Sequence, residues 1–395
     1  MKILITTDTY KPTVNGVVTS IVSLTNGLEA AGHEVRVLTL SGSAKSYQDG
    51  NATYIGSVSV GKIYPGARIK TAMSHRYIKA LIAWKPEIVH SQSEFSTFFL
   101  AKRIAHLCHA PLIHTYHTVY EDYTHYFSPN IRFGKFMAAE FSRRILTKTQ
   151  LVIAPTDKVK AMLMRYGVAP PIVTIPSGLL LHQFTNVRSD TRSKIRNQLK
   201  IKENEIILLF VGRLAEEKNI EELFGHLSEL PSEARLLLVG DGPRKEALRT
   251  LAEQENLGSR VIFAGMISPQ EIADYYAAGD VFVSASQSET QGLTYIEAMA
   301  SGLPLLCKKD DCLDSVIQNG QNGFVYDSRS EFAQLAHALC SDISLRKQIG
   351  AQAQKDVCTH YSSIQFAQSA MQAYCTAQNH RTETIAVGAV ITDKA

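Results

Sequence analysis

Two glutamates, Glu289 and Glu297, are separated by seven residues in SETQGLTYIEAMASGLP, directly after the apolar run DVFVSAS. Carboxylates accept hydrogen bonds from paired hydroxyls. A helix beginning near Gly292 would leave the backbone N–H groups of Gly292, Leu293 and Thr294 without partners, with the positive end of the helix dipole behind them, a setting for a phosphate or for sugar hydroxyls. Glu289 then lies in the loop ahead of that N-terminus and Glu297 about one turn inside the helix. The same pattern also fits a dipole-stabilised first-turn acid beside a solvated loop residue. A second cluster narrows the choice: in FVGRLAEEKNIEEL, Arg213 follows the run ILLFVG and Lys218 comes five residues later, where a helix begins. Such cations can stabilise the charge developing on a diphosphate leaving group without a metal. Alternatively they pair at the surface with Glu216, Glu217 or Glu221.

In TTDTYKPTVNGVVTSI, the single glycine Gly16 falls between the first apolar run and the first helical pattern. The G-x-G-x-x-G fingerprint of dinucleotide binding is absent there, which disfavours nicotinamide and flavin chemistry. One glycine can instead let the backbone approach a phosphate, or simply ease a turn. Gly240 and Gly242 of VGDGP read as a tight turn. PLIHTYHTVYEDYTHYF holds His114, His117 and His125. No H-E-x-x-H accompanies them and no nearby acid completes a ligand set, so metal is not expected; His117, just beyond a strand, is expected to line a cleft.

The elements that must position these residues alternate apolar runs with helical patterns, the signature of parallel sheets flanked by helices. The alternation occurs twice: KILIT, EVRVLTL, PEIVHS, PLIHTY and LVIAPT in the first half; EIILLFVG, ARLLLVG, RVIFAG, DVFVSAS and LPLLCK in the second. The fold class is therefore α/β, with two doubly wound, Rossmann-like domains facing across a cleft and a site where strand C-termini converge. The expected division is 1–186, 187–376 with a last helix able to cross back to the first domain, and a tail, 377–395, given no fold. At 395 residues the chain is too long for one ordinary core. Six scattered cysteines without a C-x-x-C pair suggest free thiols. No apolar run approaches a membrane span or a signal-peptide core, so a cytoplasmic protein is expected. Residues 1–186 carry 20 basic and 10 acidic side chains and the remainder 21 and 27, so the first half is +10 and the second −6. An anionic partner for the first half is implied, and nucleic acid is not, for want of a recognition motif.

In this order, VGRL…K…LLLVGDGP…VIFAG…SETQGL…EAMASGLP resembles the retaining nucleotide-sugar glycosyltransferases of family 4, with the GT-B fold and an E-x7-E motif. The resemblance runs from KILITTDTYKPTVNGVVTSI to YSSIQFAQSAMQAY. NGVVTSI and HTYHTVYEDYTHY look most like the bacterial diacylglycerol glucosyltransferases and their glycolipid-extending relatives. It implies that Arg213 and Lys218 clamp the diphosphate, Glu297 holds the donor ribose, Glu289 with the amides of Gly292 and Leu293 holds the transferred sugar, and Thr294 belongs to the same donor site. It also places Gly16 near the phosphates, His117 beside sugar and acceptor, and Met266–Ile267 against the uracil. Retention by front-face attack, no cofactor and no metal follow from it. The sequence departs from the family at Gln291, where an aromatic residue is usual, and at Ser177-Gly178, where Asn-Gly is.

The implied reaction is transfer of glucose from UDP-glucose to diacylglycerol at the inner face of the cell membrane. Its alternatives are glucosyl or galactosyl transfer, the latter from UDP-galactose, onto a glycolipid or a soluble polysaccharide precursor; a nucleotide-sugar epimerase and a non-catalytic nucleotide-sugar sensor are more remote. An anionic membrane surface would account for the basic half. Residues 131–148 form a candidate interfacial helix, with Phe133, Phe136, Met137, Phe141 and Ile145 on one broad face and Arg132, Lys135, Arg143, Arg144 and Lys148 as its basic groups; Arg144 falls within the apolar arc. The same helix could equally cover its own sheet.

Overall fold

The computed structural model describes residues 1–59, 68–70, 75–121 and 130–392, with side chains described as far as residue 379 apart from that of His75. The chain divides into two compact units, Met1–Gly178 with Ser363–Ala395, and Leu179–Ser362.

In the first unit the strands are β1 (Lys2–Thr6), β2 (Glu34–Leu40), β3 (Tyr47–Asp49), β4 (Ala52–Ile55), β5 (Ser57–Ser59), β6 (Arg68–Lys70), β7 (Ile88–Ser91), β8 (Leu112–Thr115), β9 (Leu151–Ala154) and β10 (Ile172–Thr174). β5 and β6 form a small antiparallel ribbon, and the rest join in the order β10-β9-β8-β7-β1-β2-β4-β3, parallel except for β3 at the edge. β7, β8 and β9 are buried along their whole length. A parallel sheet covered on both faces requires this, and it is why the strands stand out as unbroken apolar runs.

The second unit contains β11 (Ile206–Val211), β12 (Ala234–Val239), β13 (Val261–Gly265), β14 (Val281–Ser284), β15 (Leu305–Lys308) and β16 (Gly323–Tyr326), all parallel in the order β13-β12-β11-β14-β15-β16. Counted within the unit this is 3-2-1-4-5-6, a doubly wound sheet whose strand order reverses between β11 and β14. In the first unit the same reversal lies between β1 and β7.

Two expectations need correction. The first unit ends at Gly178 rather than at 186, because Leu179 and Phe184, inside an otherwise polar stretch, are buried in the core of the second unit. The Leu179 N–H also donates to the Tyr361 carbonyl at 2.8 Å, so the chain enters and leaves that unit side by side. The stretch from 377, given no fold, continues the helix Ser363–Thr392.

That last helix belongs to the first unit. Phe366, Ala370, Ala373, Tyr374 and Ala377, spaced as one helical face, join the core with Ile3, Ile21 and Leu24. The approach is close at Gly27, where a Cβ would collide with the Ser363 carbonyl oxygen and come within 2.8 Å of Ala367 Cβ. Gly27→Ala should therefore destabilise the first unit by about 1–3 kcal/mol, the usual range for an overpacked contact, in chemical denaturation; an unchanged midpoint would contradict this packing.

Candidate active site

The residues with chemical potential in the second unit collect at the carboxyl ends of β11 and β14, where the strand order reverses and helices on opposite faces leave a crevice. The loop after β11 is held by its neighbour. Gly212 N–H donates to Val239 O, Leu214 N–H to Asp241 O and Arg244 N–H to Leu214 O, all at 2.9–3.0 Å. Gly240, at φ +136°, and Gly242 make this possible, since a Cβ on either would collide with the carbonyl of Gly212 or Leu214. These glycines make more than a tight turn: they bring two loops together and thereby fix the start of the Arg213 segment.

Arg213 is exposed, and its side chain has no hydrogen bond or ion pair among the described residues. Lys218 ends a short 3-10 turn, Glu216–Lys218, before the helix Ile220–Leu227. Between them Asn219 takes φ +49° and donates its side-chain amide to Glu222, which also binds Lys308 Nζ at 2.5 Å. Lys218 Nζ meets Glu289 Oε1 at 2.5 Å, with both side chains largely buried. Ser288 Oγ donates to Glu217 O at 3.0 Å, a second tie between the two loops. Of the surface partners weighed for the two cations, Glu221 instead binds Arg244.

The helix Leu293–Ala300 begins at Gly292, whose φ of +72° only glycine adopts readily and where a Cβ would run into the Tyr295 ring. The N–H groups of Gly292, Leu293 and Thr294 have no partner among the described residues. Glu297, half-buried on this helix, accepts from the Tyr276 hydroxyl at 2.7 Å. Burial pushes its carboxyl up to about 7, and the Tyr276 bond opposes that rise. Met266 is exposed and Ile267 rests on the core, just after β13.

In the first unit, Gly16 is exposed and opens the helix Gly16–Ala30, whose N-terminus is capped by the Asn15 side chain accepting from Val18 N–H. His117 follows β8 and donates through Nε2 to Gln92 Oε1 at 2.7 Å; burial lowers it to about 4. His114 turns inward instead, 3.2 Å from Glu94, which also accepts from Tyr120 OH at 2.8 Å. Asp8 caps the helix Ser96–Cys108 by accepting from Thr97 N–H, and burial lifts it to about 6. His125 lies outside the described residues. Sequence reasoning missed Asp8, Gln92 and Glu94. The available signal was position: all three directly follow buried strands at the reversal between β1 and β7.

The helix Ile131–Leu146 is split. Ile131, Phe133, Phe136 and Met137 are 47–65% exposed, while Ile145 is buried. Phe141, expected on the membrane-facing side, stacks on Phe95 and meets Tyr120 edge-on, so it supports the protein's own core. Arg143 and Arg144 both bind Glu140, Arg132 is exposed, Lys135 lies 3.9 Å from Glu121, and Lys148 sits over the Phe99 ring. No helix among the described residues is long and apolar enough to cross a membrane.

Residues 14–182 match the family described as Glycosyltransferase Family 4, and residues 191–356 match Glycosyl transferases group 1. An alpha-monoglucosyldiacylglycerol synthase of Acholeplasma laidlawii is 33% identical over 348 residues, covering 85% of this chain and 87% of that one. This chain is a family 4 glycosyltransferase. A synthase of the same description from Streptococcus pneumoniae is 34% identical over 339 residues, 84% of this transferase and 77% of that protein. Among solved structures, Anabaena HepE in complex with UDP and glucose superposes with a TM-score of 0.76 at 18% identity, over 95% of the transferase and all of that chain, and shares its GT-B fold.

In this glycosyltransferase the Glu297 carboxyl should titrate near pH 7 when followed by carbon-13 NMR. Tyr276→Phe, by removing a donor to the carboxylate, should move that midpoint higher. A midpoint at the ordinary glutamate value would contradict the burial of this group.

Proposed function

We propose that the chain transfers glucose from UDP-glucose to diacylglycerol, forming alpha-monoglucosyldiacylglycerol at the surface of an anionic membrane on its cytoplasmic side, with retention and without a metal. The observation that carries the donor half of this reading is the Lys218–Glu289 ion pair at the β11/β14 reversal, with an unpaired Arg213 beside it in sequence. The lipid acceptor is supported by what the two synthases at 33–34% identity are named for.

Arg213 and Lys218 bind the diphosphate, and Glu297 accepts from the ribose hydroxyls. Glu289 accepts from hydroxyls of the transferred glucose, assisted by the amides of Gly292, Leu293 and Thr294. Met266 and Ile267 face the uracil, Gly16 approaches the phosphates, and His117 lies beside sugar and acceptor. As the bond between the anomeric carbon and the β-phosphate oxygen breaks, the fixed cations stabilise the charge left on the diphosphate. The acceptor oxygen bonds to the anomeric carbon on the same face, and its proton passes to the departing phosphate oxygen. This route needs no dedicated base. Lys218 held against Glu289 is oriented before the donor arrives, which saves reorganisation during the reaction.

The test supplies pure protein with UDP-glucose or UDP-galactose and liposomes containing diacylglycerol or glucosyl-diacylglycerol, and weighs the lipid products. Monoglucosyl-diacylglycerol from UDP-glucose is expected. A dihexosyl lipid alone would move the acceptor one sugar further on, and UDP release without hexosyl lipid would overturn the lipid acceptor. Lys218→Ala and Glu289→Ala should each lower kcat by an amount corresponding to about 2–4 kcal/mol, with thermal stability little changed; near-normal turnover in both would remove them from the site.

The exposed Ile131, Phe133, Phe136 and Met137 beside Arg132 and Lys135 suit an interface, where apolar side chains enter the lipid and cations meet its charge. Phe133→Ser with Phe136→Ser should abolish sedimentation with anionic liposomes while UDP binding stays intact. Unchanged sedimentation would exclude this surface.

A further inference from the structure

Behind His117 runs a chain of buried side chains. His117 Nε2 lies 2.7 Å from Gln92 Oε1, and Gln92 Nε2 lies 3.0 Å from His90 Nε2. His90 Nε2 also meets Thr115 Oγ1 at 2.7 Å, and His90 Nδ1 meets the Tyr374 hydroxyl at 2.7 Å. His90, Thr115 and Tyr374 are at most 1% exposed and Gln92 is 2% exposed, so these bonds are shielded from bulk solvent. Tyr374 comes from the last helix, 284 residues from His90 in sequence.

The polarity of the chain follows from the amide, whose oxygen only accepts and whose nitrogen only donates. Gln92 Oε1 therefore accepts a hydrogen bond from His117 Nε2–H, and Gln92 N–H donates to the lone pair of His90 Nε2. A neutral His90 must then carry its proton on Nδ1, where the Tyr374 oxygen accepts it. The Thr115 hydroxyl, 2.7 Å from the same nitrogen, shares that single lone pair with the Gln92 amide as a second, bifurcated donor. The proton of a histidine is placed by the bond its other nitrogen makes. With Nε2 committed to Gln92, His117 keeps an unprotonated Nδ1, which has no partner among the described residues.

We infer that Tyr374, His90 and Gln92 are positioning residues that hold His117 as the Nε2–H tautomer, so that Nδ1 offers a lone pair to a hydroxyl of the substrate. The substrate half of this rests on the placement of His117 proposed above; the tautomer half stands on the hydrogen bonds alone. The Nδ1 atom accepts and does not donate, so it selects a hydroxyl over an ether or carbonyl oxygen at that point.

Long-range nitrogen–proton NMR on the full chain labelled with nitrogen-15 histidine reads which ring nitrogen carries the proton, with His90→Ala and His117→Ala assigning the signals. The expected pattern is Nδ1–H at His90 and Nε2–H at His117; a wild-type His117 protonated on Nδ1 overturns the relay. Tyr374→Phe keeps the ring but removes the acceptor for His90 Nδ1–H. It should move the proton of His90 to Nε2, reverse the Gln92 amide and leave His117 with Nδ1–H. Transfer should then fall by about tenfold while UDP affinity is unchanged. Gln92→Glu separates the links: both carboxylate oxygens accept, so His90 should switch to Nε2–H while His117 retains its tautomer. A Tyr374→Phe protein that folds with His117 still protonated on Nε2 overturns the coupling. Full transfer by His117→Ala, with wild-type tautomers as expected, overturns the role of Nδ1 and leaves the Lys218–Glu289 site untouched.

Discussion

A parallel sheet wound in both directions from its middle must reverse its strand order once, and at that point the flanking helices leave for opposite faces. The carboxyl ends of the two central strands are consequently the one part of the sheet edge that no connection covers. In the second unit those strands are β11 and β14, and in the first β1 and β7. Arg213, Glu289, Asp8, Gln92, Glu94 and His117 all sit on segments that leave one of these strands or its neighbour. The buried runs of the strands are thus the cause of the site as much as its support. They fix the backbone where the loops begin, and the loops carry the carboxylates, cations and imidazoles.

What the two crevices do with this geometry differs. In the second unit opposite charges meet, Lys218 on Glu289 and Lys308 on Glu222, and glycines let neighbouring loops approach within hydrogen-bonding distance. A pair held this firmly offers fixed donors and acceptors to an incoming polar ligand. Among the described residues, the first unit has no comparable lysine or arginine ion pair at its reversal point. There the His117 imidazole is held from behind by the buried Gln92 and His90, and the Glu94 carboxylate is taken up by Tyr120 and His114.

Much of this was legible in the sequence because burial on both faces writes a strand as an unbroken apolar run. That signal located nearly all the central strands, and with them Arg213, Lys218 and Glu289 beyond their ends, with Glu297 on the helix that follows β14. Where it failed, the information was not local. Leu179 and Phe184 anchor a polar stretch to the second core, so composition placed the division too late. Phe141 shares a helical face with exposed residues yet turns toward Phe95 and Tyr120, a choice made by tertiary packing. The bond from His90 to Tyr374 joins residues 284 positions apart and leaves no spacing to read. Gly240 looked like punctuation because a turn and a close approach of two loops demand the same residue.

The return of the last helix to the first unit also bears on biosynthesis. The core formed by Ile3 of the first sheet with Ile21 and Leu24 of the helix Gly16–Ala30 is completed by Phe366, Ala370 and Tyr374, which leave the ribosome after the whole second unit. Domains that are contiguous in sequence tend to finish folding in the order of their synthesis. Here the order is inverted. The unit begun first keeps an apolar face uncovered until the helix Ser363–Thr392 has been made.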